Sequence, residues 1–141
     1  MQYDPQVVRP MRDELVRLGA TELLNSEAVD EALASDGTVL VVVNSVCGCA
    51  AANARPAVAI ATGHDVQPDR IVTVFAGQEV EATERARSHM PGYRPSSPSI
   101  ALFRGGEHVF MLERHQIEGR EAMAIAGDLR DAYDRFCTAV D

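Results

Sequence analysis

Thr38–Ala61 reads TVLVVVNSVCGCAAANARPAVAIA. Its first seven residues form a nearly unbroken aliphatic, β-branched run that closes on Asn44. A run of that kind predicts a strand buried on both faces, in the middle of a sheet. Ser45-Val46-Cys47-Gly48-Cys49 follows directly, and then an alanine-rich stretch, Ala50–Ala61. Alanine predicts helix there, with a kink at Pro56. Two cysteines one residue apart therefore sit where a buried strand hands over to a bent helix.

Working outward, Ile71–Ala76 (IVTVFA) predicts a second buried strand. Strand, helix and strand in this order imply a right-handed parallel crossover. Upstream, Val7, Val8, Met11, Leu15 and Leu18 fall at helical spacing, and Gly19 ends that segment. Pro10 fits if it occupies the first turn of this helix. Thr21–Leu24 reads as a short strand, and Ser26 as the N-cap of a helix reaching about Ala34, with Glu27 in its first turn. Asp36-Gly37 signals a turn. Downstream, Glu79–Met90 predicts a polar helix whose EVEATERAR stretch (Glu79–Arg87) is a solvated face. Met90–Ser99 (MPGYRPSSPS), with its three prolines, must be a loop. Ser99–Arg104 and Glu107–Glu113 flank Gly105-Gly106 and read as a tight antiparallel hairpin. A last amphipathic helix covers Glu118–Phe136, with Met123, Leu129, Tyr133 and Phe136 among its apolar positions.

An α/β architecture satisfies this order: a central mixed sheet of about four to five strands flanked by helices. The same order is similar to that of the thioredoxin-like fold, with extra helices at the front. The length, 141 residues, is that of one domain spanning 1–141. The net charge of −8 disfavours phosphate backbones and anionic lipid, so neither nucleic acid nor membrane is expected as a partner. All thirteen basic residues are arginine, so no lysine is present to form a Schiff base. Met1–Arg17 lacks the apolar stretch of a signal peptide, and Val39–Val43 is far too short to span a bilayer. A cytoplasmic location is expected. Thiols there are kept reduced, so three cysteines suggest chemistry or metal rather than a structural framework.

Cys47 and Cys49 are spaced for a reversible bond. Two extended residues span at most about 7 Å, and disulfide Cα atoms lie roughly 4.4–6.8 Å apart, so a tight ring can close. Gly48 is expected to help by taking backbone angles that other residues avoid. A strained ring is more easily reduced than a relaxed one. The unpaired N–H groups of a helix start favour a thiolate, which is the attacking species. Cys47 precedes the first turn and is expected to be the more exposed attacking thiol, with Cys49 resolving. Four readings stay open on these residues alone: a redox enzyme acting on mixed disulfides; a general disulfide reductase or isomerase; a metal or iron–sulfur carrier with a third ligand from elsewhere; or two small apolar residues at a crowded junction.

Among the other candidates, Cys137 reads as a partly buried thiol near the end of the last helix, with a disulfide still open to it. His64, His89, His108 and His115 are scattered without metal-binding spacing, His115 having the best claim to a site. Arg55 lies two turns beyond Cys47 and reads as solvated, or else as a contact for an anionic substrate.

Several stretches together resemble the bacilliredoxin family: VVVNSVCGCAAANARPAV (Val41–Val58), TVFAGQEVEAT (Thr73–Thr83), PSSPS (Pro95–Ser99) and RHQIEG (Arg114–Gly119). VVRPMRDEL (Val7–Leu15) and Cys137 add to the likeness, which covers nearly the whole chain. The resemblance implies a thioredoxin-like thiol–disulfide oxidoreductase that removes bacillithiol from mixed disulfides on cytosolic proteins. It implies Cys47 as the attacking thiol and Cys49, or a second bacillithiol, as the resolving one. It also implies a cis Ser97–Pro98 bond facing the cysteines, so that Gly48, Ser97 and Pro98 contact substrate. S-bacillithiolated clients and bacillithiol itself are the expected partners, with a homodimer open. No metal or resident cofactor is expected, bacillithiol serving as a co-substrate.

Overall fold

A computed structural model describes residues 2–138. Helix α1 (Pro5–Val16) leads to a two-residue strand β1 (Thr21–Glu22), helix α2 (Ser26–Leu33) and strand β2 (Thr38–Asn44). A wide π-helical turn (Ala50–Ala54) runs into α3 (Arg55–Ala61), followed by β3 (Arg70–Phe75) and α4 (Val80–Ser88). The hairpin β4 (Ser99–Arg104) and β5 (Glu107–Leu112), a 3-10 turn (Arg114–Gln116) and α5 (Ala122–Phe136) complete the order.

The five strands form one mixed sheet in the order β1-β3-β2-β4-β5. β2 is central. It pairs in parallel with β3 and antiparallel with β4. This placement explains its composition. Leu40 and Val42 join the apolar cluster shared with α3 and α5, whereas Val39, Val41 and Val43 join the cluster shared with α2 and α4. Alternate side chains thus enter two separate cores, and Val39–Val43 must be apolar at every position.

Pro56 has no N–H for the carbonyl four residues back, and the chain answers by widening the turn before it. The Arg55 N–H bonds to the Ala50 carbonyl five residues earlier. A π-helical turn thus stands where Pro56 was expected to bend the helix. Gly105 and Gly106, at φ 56° and 83°, make the left-handed two-residue turn that a tight hairpin needs.

Several expectations are corrected. α1 begins at Pro5, so Pro10 lies inside it rather than in its first turn. The Asp4 side chain accepts the Gln6 N–H and starts the helix early. Pro10 is exposed, which leaves the carbonyl it cannot pair with to water. The N-cap of α2 is Asn25, whose side chain accepts from Ala28 N–H, while Ser26 Oγ donates to Glu81. The last helix starts at Ala122, because Arg114–Gln116 turns separately within a Glu113/Gln116 capping box. Among the described residues no helix is long and apolar enough to cross a membrane.

Candidate redox site

β2 delivers Asn44 to the end of the sheet, and the next five residues turn into the helical segment. Asn44 is buried, and its amide ties the turn together. Its Nδ2 donates to the Met11 carbonyl of α1, and its Oδ1 accepts from the Ser45 N–H and from Arg55 Nη1. Arg55 also donates to the Ser45 carbonyl at 3.0 Å and to Glu14 at 2.8 Å. Arg55 is only 3% exposed, so the solvated or substrate-binding reading of this residue is wrong. It is a buried cation that pins α1, α3 and the turn before the cysteines to one another.

On this base, Ser45 Oγ accepts the Cys47 N–H, and the Ala50 N–H bonds to the Cys47 carbonyl. Cys47 therefore caps the helical segment, with Gly48 and Cys49 already in helical backbone. Gly48 does not take the left-handed angles anticipated for it, and a Cβ at that position would meet open space. The two sulfurs lie 2.6 Å apart, within reach of a disulfide.

The electrostatics of the two thiols diverge. Cys47 is held below the ordinary thiol pKa, chiefly by its contact with the Cys49 thiol. The Cys49 N–H, the Arg114 guanidinium and the Ala50 N–H add to the effect against a smaller opposing cost of burial. Cys49 is pushed up, first by burial, then by its hydrogen-bond contact with Cys47 and by that neighbour's charge. Titration of the two is shared, so the pair carries one easily lost proton and one retained. Both thiols are partly buried, but Cys47 alone lines the adjoining cleft, which measures about 490 Å³.

Ser97 faces the same cleft. The Ser97–Pro98 bond is cis, as expected, and Pro98 itself is buried while Ser97 reaches the opening. Sequence reasoning missed two further lining residues, Arg87 and Arg114. Arg114 stands beside His115, the residue favoured from the RHQIEG stretch. His115 instead points to solvent, 73% exposed, and does not line the cleft. Arg87 belongs to the helix taken for a solvated face, yet turns inward. Its Nη2 donates to the Ser96 carbonyl, and its Nε is buried without a partner. Tyr3, carried by the N-terminal segment and held through Gln78, closes another side.

Cys137 is elsewhere. Its surroundings include Thr38, at the opposite end of β2 from the cysteine pair. At about 3.3 Å per residue that strand puts roughly 20 Å between them, which rules out a bond within the chain. Among the described residues no three His, Cys, Asp or Glu side chains gather as a metal ion would require.

The chain matches the disulphide isomerase family over residues 3–137. It is 55% identical to a bacilliredoxin of Salinibacter ruber, over 97% of this chain and 82% of that one. A bacilliredoxin of Halalkalibacterium halodurans is 53% identical, over 94% of this chain and 91% of its own. Among solved structures, a thioredoxin mutant from Halobacterium salinarum superposes with a TM-score of 0.58 at 19% identity, over 86% of this chain and 94% of its own. Fasciola hepatica thioredoxin gives 0.58 at 15%, over 82% and 98%. The fold is thus thioredoxin-like, and the chain belongs to the bacilliredoxin family of thiol–disulfide oxidoreductases.

Proposed function

We propose that this oxidoreductase removes bacillithiol from mixed disulfides on cytosolic proteins. The observation that carries the reading is the asymmetry of the pair: Cys47 is ionised readily and opens to a cleft, whereas Cys49 keeps its proton behind it. The names borne by the relatives support the choice of small thiol. The Cys47 thiolate attacks the bacillithiol sulfur of the mixed disulfide. The client sulfur leaves with the bonding pair and takes a proton, and bacillithiol is now joined to Cys47. In one branch Cys49 loses its proton and attacks Cys47 Sγ, which releases bacillithiol and leaves a Cys47–Cys49 disulfide. An external thiol reductant must then return two electrons. In the other branch a second bacillithiol thiolate attacks the bound one, releasing bacillithiol disulfide and free Cys47. Ser97 and the backbone about Pro98 and Gly48 form the docking edge for the client.

Rates on a bacillithiol-modified protein and on a scrambled-disulfide protein test this function. Faster turnover of the former is expected. Equal or better turnover of the scrambled substrate would replace it with a general reductase or isomerase. Purification under reducing conditions with stoichiometric zinc or iron, lost in Cys47→Ala, would replace it with a metal carrier whose remaining ligands come from a second chain.

A further inference from the structure

We infer that Tyr3 is a specificity-determining residue of the cleft, and that its ring receives an apolar side chain of the client polypeptide, one or two residues from the client's modified cysteine. The inference rests on the mixed-disulfide reading above and adds to it the kind of sequence a client presents.

Tyr3 lies in the segment ahead of α1, outside the sheet, and a fitted seat brings it to the cleft. Gln78, only 8% exposed, grips its backbone twice. Gln78 Oε1 accepts the Tyr3 N–H at 2.6 Å, and Gln78 Nε2 donates to the Tyr3 carbonyl at 3.1 Å. Gln2 Nε2 adds a bond to the Gln78 carbonyl at 2.8 Å. The residue before Gln78 is fitted to the ring. A Cβ on Gly77 would stand 3.3 Å from Tyr3 Cε2, closer than ordinary van der Waals contact. Glycine at 77 therefore lets the ring lie against the backbone. These contacts give Gly77-Gln78, inside the TVFAGQEVEAT stretch, a role that the thiol chemistry does not use.

The seat fixes the residue but does not bury it. Tyr3 remains 45% exposed beside a reactive thiol. An aromatic side chain held in place and left open offers apolar area to a partner, and its ordering cost is already offset within the fold.

Its position selects the occupant. Gly77 follows β3 and Ser97 precedes β4, and these strands flank β2 on opposite sides. At about 4.8 Å per strand the two walls stand roughly 10 Å apart, with Cys47 between them. An extended chain crosses that gap in about three residues. A client docked on the Ser97–Pro98 edge, with its sulfur over Cys47, thus carries a neighbouring side chain to Tyr3. The wall there is apolar: Val46, Ala76 and Gly77 line the cleft with the ring. Arg87 and Arg114 instead bond to the Ser96 and Ser97 carbonyls, on the other side. An aromatic or aliphatic client residue buries area against Tyr3, whereas an acidic one loses water without gaining a partner.

The test holds the small thiol constant and varies the client. Peptides with one cysteine, all blocked with bacillithiol, carry Phe, Leu, Gly or Asp after the cysteine in one set and before it in another. Single-turnover release by excess reduced protein gives a half-saturating concentration and a limiting rate. The limiting rate is divided by the rate with dithiothreitol on the same peptide, which removes intrinsic reactivity. In at least one set the Phe peptide should half-saturate at about three- to tenfold lower concentration than the Gly peptide, as one aromatic contact implies, with Leu between them and Asp weakest. Normalised limiting rates should differ far less. Tyr3→Phe should keep this order and Tyr3→Ala should abolish it. Gln78→Met, which keeps the volume and releases the grip, should lose part of it. A merely structural Tyr3 would weaken all peptides alike in Tyr3→Ala and leave their order standing, which would overturn the inference. Equal half-saturation for the Phe and Gly peptides of both sets in the unaltered protein would also overturn it, with no variant needed, and would leave the mixed-disulfide reading intact. Failure to release any peptide would instead sink that reading and the inference with it.

Discussion

Arg55 Nη1 donates to Asn44 Oδ1 at 2.9 Å, from a guanidinium buried in the junction between α1, β2 and α3. The contact lies three residues before Cys47 and bonds the same guanidinium to the Ser45 carbonyl. Ser45 in turn holds the Cys47 N–H. Cys47 is thus positioned by a charge it never touches. Arg55→Met keeps most of the apolar volume and removes every donor. It should cost about 2–4 kcal/mol, because the Asn44 and Ser45 oxygens lose a charged partner inside the protein. It should also slow Cys47 alkylation by more than stability alone explains, with Arg55→Lys intermediate. Urea unfolding and alkylation under native conditions measure the two effects. A stability change below about 0.5 kcal/mol would show that the network is not structural.

The pH dependence of alkylation follows from the direction of the Cys47 shift. A lowered pKa means more thiolate at neutral pH, so the rate should rise and level off below the ordinary thiol range, near 8.5–9. The Arg114 charge favours the thiolate, and Arg114→Gln removes it, so the profile should move to higher pH. Cys49→Ala removes the largest single contributor and should move it further in the same direction. A profile for the unaltered protein centred at or above 9 would contradict the electrostatic description.

Gly48→Ala separates two roles that the sequence merges. In the structure Gly48 has helical backbone and open space where a Cβ would sit. The reduced protein should therefore be no less stable with alanine there, and up to about 1 kcal/mol more stable. The tight ring closed by a Cys47–Cys49 bond is where the freedom of glycine counts. The variant should accordingly form its intramolecular disulfide less readily under a fixed glutathione buffer. A lower Tm in the reduced form would show that Gly48 is required by the resting fold as well.

The strand–CGC–helix core was readable because its physics is local or periodic. A strand feeding two cores must be apolar at every position, as β2 is from Val39 to Val43. A proline inside a helix must disturb it, as Pro56 does. Ser97-Pro98 could be placed by its position ahead of a strand. Less readable were the long cations. Arg55 and Arg87 look solvated in sequence because arginine usually is. What turns Arg55 inward is Asn44 and Glu14, and what receives Arg87 is the Ser96 carbonyl, partners that only the tertiary fold supplies. Arg114 stands in the RHQIEG stretch, where sequence does not distinguish an arginine at a cleft from a solvated one. Pro10 was misplaced for a smaller reason: the cap at Asp4 starts α1 earlier than the apolar spacing does.

In the proposed reaction Cys47 attacks and Cys49 resolves. The most direct measurement is mass spectrometry of the adduct formed with a bacillithiol-modified client. It is made in Cys49→Ala and in Cys47→Ala, at a pH high enough to ionise either remaining thiol. A stable bacillithiol adduct is expected on Cys47 in the Cys49→Ala protein, and little or none on Cys49 in the Cys47→Ala protein. An adduct that forms on Cys49 as fast as on Cys47 would contradict it.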